Sequence, residues 1–243
     1  MAVVRQALAE GGRILCRAPG VSLTYGSVFA LVGTLVLGGM LHWRVAPLAL
    51  PAFGGFLLVG PVAMAGLMAI AAEVRAGRPA GWREVAAAWR AAPRGLWALA
   101  FFCMLSFFIA LGDVGTLYSF LVGEPVDGWG AIFPGDRRWA FHLSAGASGG
   151  FLAAGVYLVT VHAVPLLLTR RASLVASVSA SVRAVASGPV VHLVWAAVLA
   201  SGVLACVVFP PALVLVLPLL AYAGDAFHRA VFPAGSNPFG ERD

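Results

Sequence analysis

Six long apolar runs dominate the chain, at approximately 22–42, 47–73, 95–120, 148–169, 190–209 and 211–231. Each is near the roughly 20 residues a helix needs to cross a hydrocarbon core about 30 Å thick. The pattern therefore predicts an all-α polytopic membrane protein, a single integral membrane domain of about six transmembrane helices. Short loops join the first two runs and the last two, the latter marked by Pro210-Pro211. Two short amphipathic stretches, 79–92 and 172–187, separate the second run from the third and the fourth from the fifth. In the first, Trp82, Val85 and Trp89 recur at helical spacing opposite Arg83, Glu84 and Arg90. In the second, Leu174, Val178, Val182 and Val185 stand against Ser173, Ser177 and Arg183. Both predict interfacial elbow helices, the first with its indoles at headgroup depth.

The span–elbow–span order occurs twice, and sequence echoes accompany it. Gly55-Phe-Leu and Gly150-Phe-Leu, Pro93 and Pro189, and Trp97 and Trp195 recur at roughly one offset, which predicts a degenerate internal repeat. Pro61 and Pro165 each fall inside the span before an elbow, where a missing N–H kinks a helix. Residues 112–147 form the one sizeable piece outside the runs. They hold Asp113, Glu124, Asp127, Asp136, Arg137, Arg138 and His142 with Trp129 and Trp139 among Gly and Pro turns. This segment is too short for a domain and is expected to form a cap or re-entrant loop, and a handle for any partner on that side.

Composition sharpens the membrane reading. With 61% hydrophobic and 11% charged residues, the chain has too little polar surface to close a soluble globule. All sixteen basic residues are arginine, and the net charge is +6. They sit at the ends of apolar runs rather than on one face, which sets orientation and argues against nucleic-acid binding. Thirteen fall in the first 21 residues, 74–94, 170–183 and the C-terminal end, against only Arg44, Arg137 and Arg138 elsewhere. The positive-inside rule then puts tails 1–21 and 232–243 in the cytoplasm and 112–147 in the periplasm of a bacterial inner membrane. The first run, preceded by Arg5, Arg13 and Arg17, ends without a small-residue cleavage pattern and is expected to be a retained span. Cys16, Cys103 and Cys206 are isolated, with no disulfide or zinc pattern; the last two fit as small buried hydrophobes.

Candidate chemistry is sparse. Gly146-Ala-Ser148-Gly149 resembles the serine motif of rhomboid intramembrane proteases, and Trp43-Arg44 resembles another of their signatures. The second-span histidine and asparagine of those enzymes are missing, however, and His228 falls at the opposite end of its span from Ser148. A nucleophile must reach its base, so small residues for helix packing explain the motif better. His162 and Asp113 are the polar groups expected to face apolar surroundings, with Tyr157 and Thr160 near His162. Ligand binding, proton relay or haem ligation at His162 stands against simple satisfaction by a neighbouring helix. His192 and His228 are expected at span ends, satisfied by snorkelling or lipid phosphate. Asp225 and Arg229 suit one i,i+4 ion pair.

Several stretches together resemble the bacterial integral-membrane family catalogued as domain of unknown function 2189. They are Val21-Ser-Leu-Thr-Tyr-Gly26, Gly55-Phe-Leu-Leu-Val-Gly-Pro61, Pro165-Leu-Leu-Leu-Thr-Arg170, Ser181-Val-Arg-Ala-Val-Ala-Ser-Gly-Pro189 leading to Trp195-Ala-Ala, and Ala226-Phe-His228-Arg229. The resemblance runs from about Val21 to Phe232. It departs at Thr169, where an Asp is expected, and at Gly224, where a second histidine is expected, leaving His228 alone. It implies a six-span fold and, through relatives labelled as cytochrome c oxidase components, a loose tie to respiratory membranes. No histidine constellation for haem or copper is visible in the sequence, so no cofactor and no metal is expected.

Two functions follow as expectations. The first is a non-enzymatic accessory, assembly or stabilising subunit that packs against other membrane subunits. Its contacts would be Trp82, Trp89, Arg90, Trp129, Trp139, Arg170 and Arg171, with the lipid bilayer around it. The second is a carrier or exporter of a small, largely apolar solute, with a cavity near Pro61, Pro165, Tyr157 and His162.

Overall fold

A computed structural model describes residues 1–49, 60–123 and 138–233. The described residues form ten α-helices and two single 3-10 turns, and no strand. In chain order the helices are α1 (Ala2–Arg17), α2 (Pro19–His42), α3 (Gly60–Arg75), α4 (Trp82–Arg90) and α5 (Arg94–Leu121). Then come α6 (Trp139–Thr160), α7 (Ala163–Leu168), α8 (Leu174–Ser187), α9 (Pro189–Val208) and α10 (Leu213–Val231). Among them, five stretches are long and apolar enough to cross a membrane: Pro19–His42, Arg94–Leu121, Trp139–Leu168, Pro189–Val208 and Pro210–Val231. The sixth expected span, 47–73, lies partly outside the described residues; α3 is its latter part. Pro61 is the second residue of α3 and is buried there.

The boundaries follow local chemistry. Pro19 and Pro189 open α2 and α9 at positions that need no N–H partner. Ser173 caps α8 by accepting from the Ala176 N–H, and Glu84 accepts from the Gly81 N–H at the start of α4. Both elbows are thus present as α4 and α8, each between two spans, as the repeat predicts. The echoed tryptophans, however, occupy different environments: Trp97 is 52% exposed and Trp195 only 1%.

The structure adds detail at three places. The N-terminal tail is a helix: α1 lays Val4, Ala7, Gly11 and Ile14 on α10 and turns Arg5, Arg13 and Arg17 outward. Within 112–147, α5 stays helical to Leu121 and α6 begins at Trp139. The buried face of α8 is Ser177, Ala180, Ser181 and Val185, whereas Val182 is 40% and Val175 77% exposed. In a bilayer, large apolar side chains are at ease against lipid, and small or hydroxyl side chains suit close contact between helices. Helix α8 therefore buries Ser177 and Ser181 together with Val185, while Leu174 and Val178 pack against the core and Ser173 and Arg183 stay exposed.

Helix α10 is the element on which α1 and α2 both pack. A methyl group on Gly26 of α2 would fall 2.5 Å from the Val214 carbonyl oxygen. The two backbones touch there, and a turn away the Ser22 and Tyr222 hydroxyls hydrogen-bond at 2.6 Å. Tyr25 on the same helix donates to the Ala63 carbonyl at 3.0 Å, tying α2 to α3. Trp82 stacks on Tyr25 with ring centroids 5.8 Å apart, and Trp89 lies 6.0 Å from the same ring while donating to the Val62 carbonyl. The α4 indoles therefore brace α2 and α3 rather than only resting at headgroup depth.

Candidate functional site: a histidine chain beside an apolar cavity

The fourth predicted span is broken. Helix α6 stops at Thr160, a turn covers Val161–His162, and α7 resumes at Ala163. Pro165 accounts for the position, since its ring displaces the carbonyl four residues back, at Val161, and offers no N–H to it. In an unbroken helix the His162 N–H would bond the Leu158 carbonyl. Here the Ser181 hydroxyl of α8 stands between them, accepting from His162 N–H at 3.2 Å and donating to Leu158 O at 2.8 Å. One inserted hydroxyl thus satisfies both halves of a broken backbone pair and holds the interruption open.

The break turns the His162 ring into the bundle, where it is 0% exposed. Its Nδ1 lies 3.2 Å from Nδ1 of His228 on α10, and its Nε2 lies 2.9 Å from Nε2 of His192 on α9. The sequence expectation for His192 and His228 is corrected: both are 2% exposed and point inward, not toward headgroups. Phe227 and Phe232 wrap the three rings, with Phe227 stacked on His162 at 5.8 Å and Phe232 on His228 at 5.2 Å. His228 is not alone, as its sequence suggests, but ends a chain of three imidazoles.

Hydrogen-bond direction along this chain is determined. His192 Nδ1 lies 2.7 Å from the Gly188 carbonyl, which can only accept, so that nitrogen carries the proton. For three neutral rings, His192 Nε2 then accepts from His162 Nε2–H, and His162 Nδ1 accepts from His228 Nδ1–H. His228 Nε2 remains as the terminal acceptor. Because His162 gives one nitrogen to each neighbour, the rings form a line rather than a cage. Among the described residues no group of three or more His, Cys, Asp or Glu side chains could hold a metal ion. The chain instead fastens α9, the α6–α7 break and α10 together.

A second polar cluster joins α1, α3 and α10. Arg75 bonds both Glu10 and the buried Asp225, and Arg229 bonds Glu10 and lies 3.6 Å from Asp225. The expected Asp225–Arg229 pair is therefore one side of a four-membered ring of alternating charge. Burial raises the Glu10 carboxyl, but hydrogen bonds and charge from Arg229 and Arg75 outweigh it and hold the group below the ordinary glutamate value.

Beside the histidine chain lies a cavity of about 530 Å³ whose walls are almost wholly apolar. Pro61, Tyr157 and Pro165 line it, as do Cys103, Trp195 and Cys206, while His142 stands toward its other end. His162 does not line it. Tyr157 turns its hydroxyl out of the cavity, onto the His192 carbonyl at 3.0 Å.

The remaining candidates disperse. Asp113 lies exposed on α5. Arg90 bonds the Ala86 carbonyl of its own helix, Arg170 reaches the Ala91 carbonyl after α4, and Arg171 reaches the Phe232 and Pro233 carbonyls. Trp139 is 61% exposed, and Trp129 falls outside the described residues. Ser148 only approaches the Ala145 carbonyl of its own helix, at 3.4 Å. It is about 21 Å along the helix from His162, the neighbour of His228, so no serine–histidine pair forms.

No curated protein and no solved structure matches the chain. Residues 49–169, about half its length, match the family described as predicted integral membrane protein (DUF2189). That region holds α3 through α6, the break and Pro165. With its helical spans and this match, the chain belongs to the DUF2189 family of integral membrane proteins.

Proposed function

We propose that the protein is a non-enzymatic membrane carrier that holds a small, largely apolar molecule between its helices. The observation that carries this reading is the cavity of about 530 Å³, within the range of ordinary ligand sites and bounded by α3, α5, α6, α9 and α10. Its walls reach the middle of α6, α9 and α10, which is the depth a membrane carrier needs. The histidine chain closes the arginine-rich end of the same helices. By the distribution of arginines, that end faces the cytoplasm of a bacterial inner membrane, with both termini there. Binding of radiolabelled hexadecane to the protein in lipid nanodiscs, above that of empty nanodiscs, tests the reading. Gly149 lines the cavity, and a side chain added there meets no atom within 4 Å, so Gly149→Phe should fill the space and abolish binding. Equal uptake by wild type, Gly149→Phe and empty discs would overturn it.

A second reading, an accessory or assembly subunit of a larger membrane complex, is supported by α5. Trp97, Phe101, Leu105 and Phe108 form one outward stripe at helical spacing, each at least 50% exposed. Such a stripe suits a partner helix as well as lipid. A stoichiometric subunit retained through mild-detergent purification, and lost in a Phe101→Ala, Phe108→Ala variant, would favour this reading.

A further inference from the structure

The cavity has one polar end. Its wall hydroxyls are spent on backbone carbonyls: Ser106 on Phe102 at 2.9 Å, Tyr157 on His192 at 3.0 Å and Thr160 on Val156 at 2.7 Å. His142 is different. Its Nε2 is shielded from solvent, has no hydrogen-bond partner, and belongs to a ring that lines the cavity. Arg138, the N-cap of α6 and one helical turn before His142, stands just beyond the residues that line the cavity and has a shielded Nε that is also without a partner. Buried polar atoms are nearly always satisfied, and two exceptions one turn apart, one in the cavity wall and one next to it, call for a ligand. Among the described residues no carboxylate pairs with Arg138.

We propose that the cavity binds a long-chain carboxylate amphiphile, its head on Arg138 and His142 and its hydrocarbon chain running along α6 toward Tyr157 and Pro165. This rests on the carrier reading above and adds the chemistry of the ligand. An arginine Nε–H can only donate, and a neutral imidazole bearing its proton on Nε2 donates likewise, so both atoms seek one acceptor. The arginine charge selects an anion, and a carboxylate accepts from two donors at once. From His142 to Thr160 the helix rises about 27 Å, so the wall suits an extended chain rather than a compact molecule.

The test compares binding of radiolabelled hexadecanoate, hexadecanol and hexadecane to the full chain in zwitterionic nanodiscs, each corrected for empty discs. Hexadecanoate is expected to bind at least tenfold more tightly than hexadecanol. Arg138→Met and, separately, His142→Leu should bring it down to the level of the alcohol while hexadecane still binds above empty discs. Gly149→Phe should remove all three. Equal binding of acid and alcohol, or hexadecanoate binding indifferent to both head-group variants, would overturn the proposed head site and leave the carrier reading standing. Binding of none of the three would overturn both.

Discussion

His162 Nε2 and His192 Nε2 stand 2.9 Å apart, on residues 30 positions distant, and the other nitrogen of His162 reaches a ring a further 36 positions along. The Gly188 carbonyl sets the proton order of the whole chain. Nitrogen-15 NMR of histidine-labelled protein should show His192 and His228 as Nδ1–H tautomers and His162 as Nε2–H. Any other neutral set contradicts the chain. His162→Leu removes the central ring and leaves a donor on His228 and an acceptor on His192 buried without partners. At about 1–3 kcal/mol for each orphaned group, a large fall in thermal stability is expected in detergent, with α9 and α10 loosened together.

Ser181 and Ser177 make a controlled pair on the buried face of α8. Both are 0% exposed, yet the Ser181 hydroxyl bridges His162 N–H and Leu158 O while the Ser177 hydroxyl has no partner. Ser181→Ala should destabilise by about 1–3 kcal/mol for each of the two backbone groups it strands, the His162 N–H and the Leu158 carbonyl. Ser177→Ala removes only an unsatisfied hydroxyl and should be neutral or stabilising. Parallel thermal melts decide it; equal losses in the two variants would refute the bridging role.

These features explain what the sequence could and could not disclose. Spans are legible because the bilayer demands long apolar runs, and five long apolar helices fall where the runs do. The break at Val161–His162 was signalled by Pro165. The histidine chain was not, because each ring looks solitary within its own apolar run and only helix packing brings the three together. One signal was available: each of the three lies within about two turns of the arginine-rich end of its span, hence at a similar depth. The burial of Ser177 and Ser181 on α8 is not legible in the sequence, because only helix packing selects those two hydroxyls from the pattern. The partner of Asp225 was missed for a related reason: its i+4 neighbour Arg229 is local, while Arg75 lies 150 positions away.

The charge ring of Glu10, Arg75, Asp225 and Arg229 gives a pH dependence with a definite sign. Glu10 is held below its ordinary value by the two arginines. A depressed carboxyl contributes stability that is fully present above the unfolded glutamate value and is lost as pH falls through the folded one. Wild type should therefore lose stability on acidification below about pH 4.5, and Glu10→Gln should show a shallower loss over that window. The same steepness in both would refute the assignment. Asp225→Asn strikes the buried member of the ring, whose side chain is only 3% exposed. Breaking a buried pair costs about 3–5 kcal/mol; because Arg75 is 27% exposed and can turn to water, the lower end is expected.

Two glycines of α2 should respond to the same substitution with opposite signs. In a bilayer no hydrophobic effect drives helices together, so close backbone approach is the main source of attraction between them. Gly26 sits at such an approach: a methyl group there would meet the backbone of Val214 at 2.5 Å for oxygen and 2.9 Å for carbon. Backbone cannot swing aside as a side chain does. Gly26→Ala must therefore push α2 off α10, straining the Ser22–Tyr222 hydrogen bond, at an overpacking cost of about 1–3 kcal/mol or more. Gly38, on the same helix, has nothing within 4 Å of the added methyl. There Ala only reduces backbone freedom in the unfolded state, and a gain of about 0.5–1 kcal/mol is expected. Melting temperatures of the two variants in one detergent should bracket that of wild type. Were both to rise, α2 and α10 would not be in backbone contact at Val214, and the packing of α2 on α10 would have to be redrawn.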